Sequence, residues 1–165
     1  MTSSTAGSVR DKHDGALSGA LSVRVWLRLL TCSTIVEKRL RRRFAEQFEV
    51  TLPRFDAMAA LERAPDGLTM SELSRALLVS NGNVTALVRQ LQAQEFANLV
   101  TSTGDRRSSI VTLTDAGREQ FTVMAGAHHA WIEDMLAGMP PAQLELLFGL
   151  LAVLKSSIAR QGEAS

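Results

Sequence analysis

Residues 81–95 carry two kinds of side chain at helical spacing. Val84, Leu87, Val88 and Leu91 recur at i, i+3, i+4 and i+7, which builds one apolar side. Opposite them stand Gly82, Ala86 and Arg89, flanked by Asn83, Thr85 and Gln90. Gly82 and Ala86 are small, so a backbone carrying them can come close to a groove floor. Asn83 and Gln90 have carboxamides able to pair bidentately with adenine. Arg89 suits guanine or phosphate, and Thr85 suits a phosphate or a thymine methyl. Ser80 and Asn81, where the segment opens, complete the candidate DNA-contacting set on this helix. A solvated surface helix shows the same polar-out, apolar-in pattern, so the helix alone leaves both readings open.

A second cluster follows. Asp105-Arg106-Arg107 stands between the β-branched runs Leu99–Ser102 and Ser109–Leu113, which reads as a β-hairpin with a basic tip. Asp105 suits the turn. An arginine projecting from it can enter a minor groove, where negative potential is concentrated. The alternative is a turn kept charged for solubility. A basic hairpin directly after a helix-turn-helix pattern favours DNA.

Other chemistry-bearing groups are weaker. His128-His129 with Glu133 offers an i, i+4 His/Glu pair, but no third ligand or cysteine is nearby, so no metal is expected. Cys32 lies in an apolar-rich helical stretch and reads as a packed, inert thiol. The Lys38–Arg43 run can lie near DNA, beside an effector pocket, or on a solvated face. There is no Gly-rich phosphate loop and no nucleophile elbow, so neither an enzyme nor a bound cofactor is expected.

Bulk composition constrains the setting. The chain has 165 residues, 45% hydrophobic and 21% charged, as in an ordinary soluble domain with a single core. Net charge is +1, from 18 basic and 17 acidic residues, so any case for nucleic acid rests on local distribution. One cysteine excludes an intrachain disulfide and agrees with a reducing cytoplasm. Residues 1–19 read as a disordered tail without the apolar run of a signal peptide. Val23–Val36 is interrupted by Arg24 and Arg28 and is too short to cross a bilayer. A cytoplasmic protein without a membrane partner is expected.

These groups must be held by a mainly helical fold. Leu21–Phe48 is helical, with Val23, Leu27, Leu30 and Thr34 as a buried stripe. Pro53 opens a second helix whose inner face is Phe55, Met58 and Leu61. Ala64-Pro65-Asp66-Gly67 is a turn, and Thr69-Met70-Ser71-Glu72 a capping box that starts a short helix with Leu73 and Leu77 inward. The helix from Asn81 to about Glu95 and the hairpin follow. Thr114-Asp115 caps a helix to about Leu136, and Gly138-Met139-Pro140-Pro141 breaks it. A last helix carries Leu144, Leu147, Phe148, Leu151, Leu154 and Ile158 on one stripe, as core or dimer seam. The order is α-α-α-α-β-β-α-α, mainly α with a small β-wing, with a possible short strand at Leu68.

Several segments together resemble the multiple-antibiotic-resistance-regulator (MarR) family of winged helix-turn-helix regulators. They are Leu73-Ser74-Arg75, the run Val84–Leu91, and Asp105-Arg106-Arg107 continuing through Val111-Thr112-Leu113-Thr114-Asp115-Ala116-Gly117-Arg118. The last matches a D-R-R-x-x-x-V-x-L-T-x-x-G-R wing signature without a gap. The resemblance covers roughly residues 21–160. It implies a homodimer with interlocking terminal helices and two winged lobes on double-stranded DNA, and a pseudo-palindromic operator. It makes Arg107 the wing-tip minor-groove residue, with Arg106 beside it and Asp105 steadying the wing. It divides the chain into a tail (1–19), a single domain (20–160) and a short tail (161–165). Within the domain the winged lobe covers about 50–118, and dimerisation helices cover about 20–48 and 119–160.

One stretch departs from the family. Where Gly-Leu-Val-x-Arg is usual after the reading helix, this chain has Glu95-Phe96-Ala97-Asn98-Leu99. Glu in place of Gly predicts a strained helix exit, and Leu in place of Arg predicts lower affinity. Between Leu68 and Arg118 five basic residues meet four acidic ones, so binding should be modest and salt-sensitive. A winged-helix interaction module that has lost DNA binding is the alternative.

The family also implies a small-molecule effector. Arg28, Phe55, Met58, His128 and Trp131 are the candidate lining, suited to a flat apolar body with an anionic end, and core packing is the competing reading for all five. Thr51–Asp56 with Ser80–Thr85 is similar to regulators of aromatic-acid catabolism. That likeness points to an aromatic acid or its coenzyme A thioester, with repression relieved on binding.

Overall fold

The computed structural model describes residues 20–101 and 109–162. The order is α1 (Leu21–Phe48), α2 (Leu52–Glu62), β1 (Leu68–Thr69), α3 (Met70–Leu77), α4 (Asn81–Ala93), β2 (Ala97–Thr101), β3 (Ser109–Leu113), α5 (Asp115–Leu136) and α6 (Pro141–Gly162). The strands form one antiparallel sheet in the order β1-β3-β2. Leu68 faces Val111, and Ala97 to Thr101 face Leu113 to Ser109 in strict register. The six helices and small sheet are the fold expected from the pattern, with the short strand at Leu68 present.

The chain divides into two compact units between Gly126 and Ala127, within α5. The first has its core where α2, α3, α4 and β3 meet. Phe44, Met58, Leu61, Leu73, Val84, Val88, Leu91, Val111 and Met124 are fully buried. Phe55 lies between the rings of Phe44 and Phe121, with centroids 4.6 Å and 5.6 Å away. Each fully buried aliphatic or aromatic side chain contributes about 1.5–3 kcal/mol.

Local chemistry starts and stops these helices. Pro53 occupies the first turn of α2, where its missing N–H costs nothing. The capping box on α3 is complete: Thr69 Oγ1 accepts from the Glu72 amide, and the Thr69 amide donates to Glu72 Oε2 at 2.8 Å. Ser74 Oγ donates to the Val79 carbonyl at 2.6 Å, bracing the turn between α3 and α4. Glu49, Leu78 and Glu95 follow α1, α3 and α4 in the left-handed region, at φ 53°, 55° and 61°. Gly67 also has positive φ, and a Cβ there would meet Ile110, Thr112 and the Val111 carbonyl at under 3 Å.

Some expectations need correction. α4 ends at Ala93, because Glu95 has left the helical region. Leu77 and Leu87 are half-buried rather than inward. In the N-terminal half of α1 the stripe is only partly covered: Leu27, Leu30 and Thr34 are half-buried, while Val23 is exposed. Thr31 is the buried residue there, its hydroxyl donating to the Leu27 carbonyl. Cys32 is exposed, not packed, because it falls on the outer side of that half.

The second unit, residues 127–165, contains the end of α5 and α6. Trp131 is buried and His128 half-buried. α6 runs to Gly162, two residues beyond the expected boundary at 160. Its stripe is not a core of the single chain, for Leu147, Phe148, Leu151 and Ile158 are exposed, as are Leu146, Leu150 and Val153. By length and composition, Pro141–Arg160 would suffice to cross a membrane. The expected tail at 1–19 lies outside the described residues, as do 163–165.

Candidate nucleic-acid interface

Three fixed points position α4. On its inner side Val84, Val88 and Leu91 are at most 1% exposed, which sets its rotation. At its start, Ser80 is the N-cap residue and makes no side-chain capping bond. At its end, Arg54 of α2 donates through one terminal nitrogen to Gln94 Oε1 at 3.0 Å and through the other to the Glu49 carbonyl at 3.0 Å. One guanidinium thereby ties the exit of α4 to the exit of α1. Sequence reasoning did not find Arg54, since its partner Gln94 is 40 residues away.

That anchorage leaves the polar side of α4 in solvent. Ser80, Asn81, Gly82, Asn83, Ala86, Arg89 and Gln90 are all exposed. Nothing lies within 4 Å of a Cβ built on Gly82, so the approach to the backbone is open there. Thr85 is half-buried, and its hydroxyl donates to the Asn81 carbonyl at 3.0 Å, leaving its lone pairs as the part that can meet a donor. Exposed amides, a guanidinium and small residues thus share one helix face, the arrangement needed to enter a major groove.

The wing is joined to α4 through Glu95 and Phe96. Thr114 Oγ1 donates to the Glu95 carbonyl at 2.7 Å and accepts from the Gly117 amide at 2.9 Å. The Thr114 amide donates to the Phe96 carbonyl at 3.1 Å. Thr114 therefore caps α5 and also fixes the left-handed exit of α4. The expected strain at Glu95 is present as its positive φ. Arg118 Nη1 reaches Glu62 Oε2 at 3.2 Å, tying α5 to α2. The Leu113-Thr114-x-x-Gly117-Arg118 motif is thus a set of contacts that orients the hairpin. Leu99, where a basic residue was the usual one, is exposed on β2. The tip residues Asp105, Arg106 and Arg107 lie outside the described residues.

The five candidate effector residues fall on three helices, three of them in the first unit and two in the second. Phe55 and Met58 are buried on α2 in the core of the first unit, and Arg28 is exposed on α1. His128 and Trp131 lie one turn apart on α5 in the second unit. Burial first, and then the neighbouring His129, hold the His128 imidazole below its ordinary pKa. His129 Nε2 lies 3.2 Å from Glu133 Oε1, and among the described residues no group of three or more His, Cys, Asp or Glu could hold a metal ion. In the basic run, Arg41 pairs with Glu37, and Arg42 reaches Glu46 at 3.9 Å.

A family model described as MarR family matches residues 48–108. The transcriptional activatory protein BadR of Rhodopseudomonas palustris is 31% identical over 107 residues, which are 64% of this chain and 61% of that protein. The chain therefore spans under two thirds of that relative's length. The crystal structure of a MarR family transcriptional regulator from Silicibacter pomeroyi superposes with a TM-score of 0.67 at 34% identity, over 82% of this chain and 94% of that one. Sco3205 of Streptomyces coelicolor, a MarR family regulator solved in complex with DNA, shares the fold with a TM-score of 0.74 at 18% identity, covering 88% and 92%.

Proposed function

Since the chain belongs to the MarR family of transcriptional regulators, we propose that it is a cytoplasmic, homodimeric DNA-binding repressor that releases a pseudo-palindromic operator on binding a small effector. One observation carries the DNA part. Asn83, Arg89 and Gln90 project from a helix whose other side is locked by Val84, Val88 and Leu91, with open space over Gly82. In this reading α4 enters the major groove and Arg107, at the hairpin tip, the minor groove. Asp105 and Arg106 steady and flank it. Half-sites stand about one helical turn apart, as two-fold symmetry requires.

Residues 20–160 act as one functional domain, with a DNA lobe at about 50–118. The dimer is supported by the exposed apolar side chains of α6, such as Phe148 at 78%, and of early α1, such as Trp26 at 59%. Apolar surface on that scale marks a surface that another molecule covers. A second copy covers it in this reading, rather than a bilayer, because the Silicibacter pomeroyi protein that superposes over 82% of this chain is a transcriptional regulator.

The effector we propose is an aromatic acid or its coenzyme A thioester, with Arg28, Phe55, Met58, His128 and Trp131 as its candidate contacts. Its support is the residue chemistry of that set and the similarity of Thr51–Asp56 and Ser80–Thr85 to regulators of aromatic-acid catabolism. Binding shifts the spacing of the lobes and weakens DNA affinity. A thermal-shift screen with aromatic acids and their thioesters, repeated with promoter DNA, tests the effector, since a ligand of the folded state raises the melting temperature. Footprinting upstream DNA at low salt with wild type and Arg89→Ala tests the reading of α4. An intact dimer without a footprint would instead favour a winged-helix interaction module, the reading motivated by Glu95 and Leu99.

A further inference from the structure

A cleft of about 200 Å³ opens in the first unit, on residues distinct from the five effector candidates. Leu52 and Pro53 of α2, Leu77 and Val79 at the α3–α4 turn, and Leu87 of α4 supply its apolar lining. Glu37, Arg41 and Asp56 supply its polar groups. Arg41 is already committed, because its guanidinium donates to Glu37 Oε1 through both Nε and a terminal nitrogen. The Asp56 side chain is exposed and makes no hydrogen bond or ion pair within contact distance to another described residue, although the charges of Arg41 and Arg63 act on it. The cleft thus combines an apolar wall, the Arg41–Glu37 ion pair and the exposed carboxylate of Asp56.

We propose that this cleft binds a small organic cation, a planar amidinium or a primary ammonium on a compact hydrocarbon body. The carboxylate of Asp56 would take the charged end, and the leucines and Pro53 the body. Planar amidinium matches carboxylate in a two-point, charge-assisted pair. The volume equals roughly six or seven waters, so it admits a single-ring ligand. The half-burial of Leu87 and Leu77 follows from the same geometry, since both border a space that no described side chain fills. An occupant would press on Leu87 at the inner side of α4, on the side away from Arg89. The site is separate from the aromatic-acid effector proposed above and does not rest on that reading.

Benzamidine is the probe, and benzamide, its neutral near-isostere, the control. Calorimetric titration of the full-length dimer should show saturable binding of benzamidine and at least about ten-fold weaker binding of benzamide. Asp56→Asn should weaken benzamidine about ten-fold or more. Methyl NMR spectra of the wild-type protein, which need no variant, should place the largest benzamidine-induced shifts at Leu52, Leu77, Val79 and Leu87. The proposal is overturned if benzamidine does not saturate, if benzamide binds as well, if Asp56→Asn leaves affinity unchanged, or if the shifts fall elsewhere.

Discussion

The carbonyl oxygen of Phe96 lies 2.1 Å from the place a Cβ on Gly117 would occupy. Helix α5 can begin against the strand that leaves α4 only because residue 117 has no side chain. The obstacle is backbone, held by Thr114 through both its amide and its hydroxyl, so it cannot swing aside. Gly117→Ala should therefore cost about 3 kcal/mol, at the upper end for overpacking. Its melting temperature should fall by about 6 °C or more for a chain of this size. A change of under 1 °C would show that the α4 exit and α5 are not in this contact.

Glu95 offers the opposite experiment. At φ 61° an L-residue with a side chain is disfavoured by about 1–2 kcal/mol, against an entropic loss of about 0.5–1 kcal/mol for glycine. Glu95→Gly should raise the melting temperature by about 2 °C in a thermal scan. A lower melting temperature would mean that the Glu95 side chain makes a compensating contact.

Asp56 carries a pH signature. Burial, and then the charge of Glu37, raise its pKa above the usual carboxylate value, while Arg41 and Arg63 oppose the shift. A raised folded-state pKa means that its contribution to stability is full below pH 3.8 and is lost as pH rises through the folded-state value. At pH 7 the charged form disfavours the fold, so Asp56→Asn should melt higher than wild type, and the gap should close as pH is lowered towards 4. A gap that widens on acidification would reverse the sign of the burial effect.

Arg107 can be tested directly in a gel shift. In the proposed operator-bound dimer, Arg107→Ala removes one cation from each copy, so the salt slope of binding should fall by about one per copy, together with affinity. Equal affinity and equal slope would remove the wing from the mechanism.

What could be read in the sequence was local. The Thr69–Glu72 capping box, the Pro53 start of α2 and the apolar side Val84, Val88 and Leu91 each depend on neighbours within two turns, and each is present in the structure. The strained exit at Glu95 was legible because Glu stands where the resembled family usually has glycine. Periodicity could not show what covers an apolar stripe: Val23 and Phe148 have the spacing of core residues, yet both are exposed in the chain. Nor could it show contacts across long separations. Arg54 reaching Gln94 and Arg118 reaching Glu62 span 40 and 56 residues. The cleft at Asp56 joins three segments in the same way.

The three left-handed exits at Glu49, Leu78 and Glu95 have a consequence for how this protein can vary. None of them belongs to the set proposed to touch bases or phosphates. Glycine or asparagine at these corners offers thermal tolerance without altering the letters that α4 presents to DNA. Robustness and sequence preference can therefore drift apart, one through the corners and the other through the groove-facing side chains.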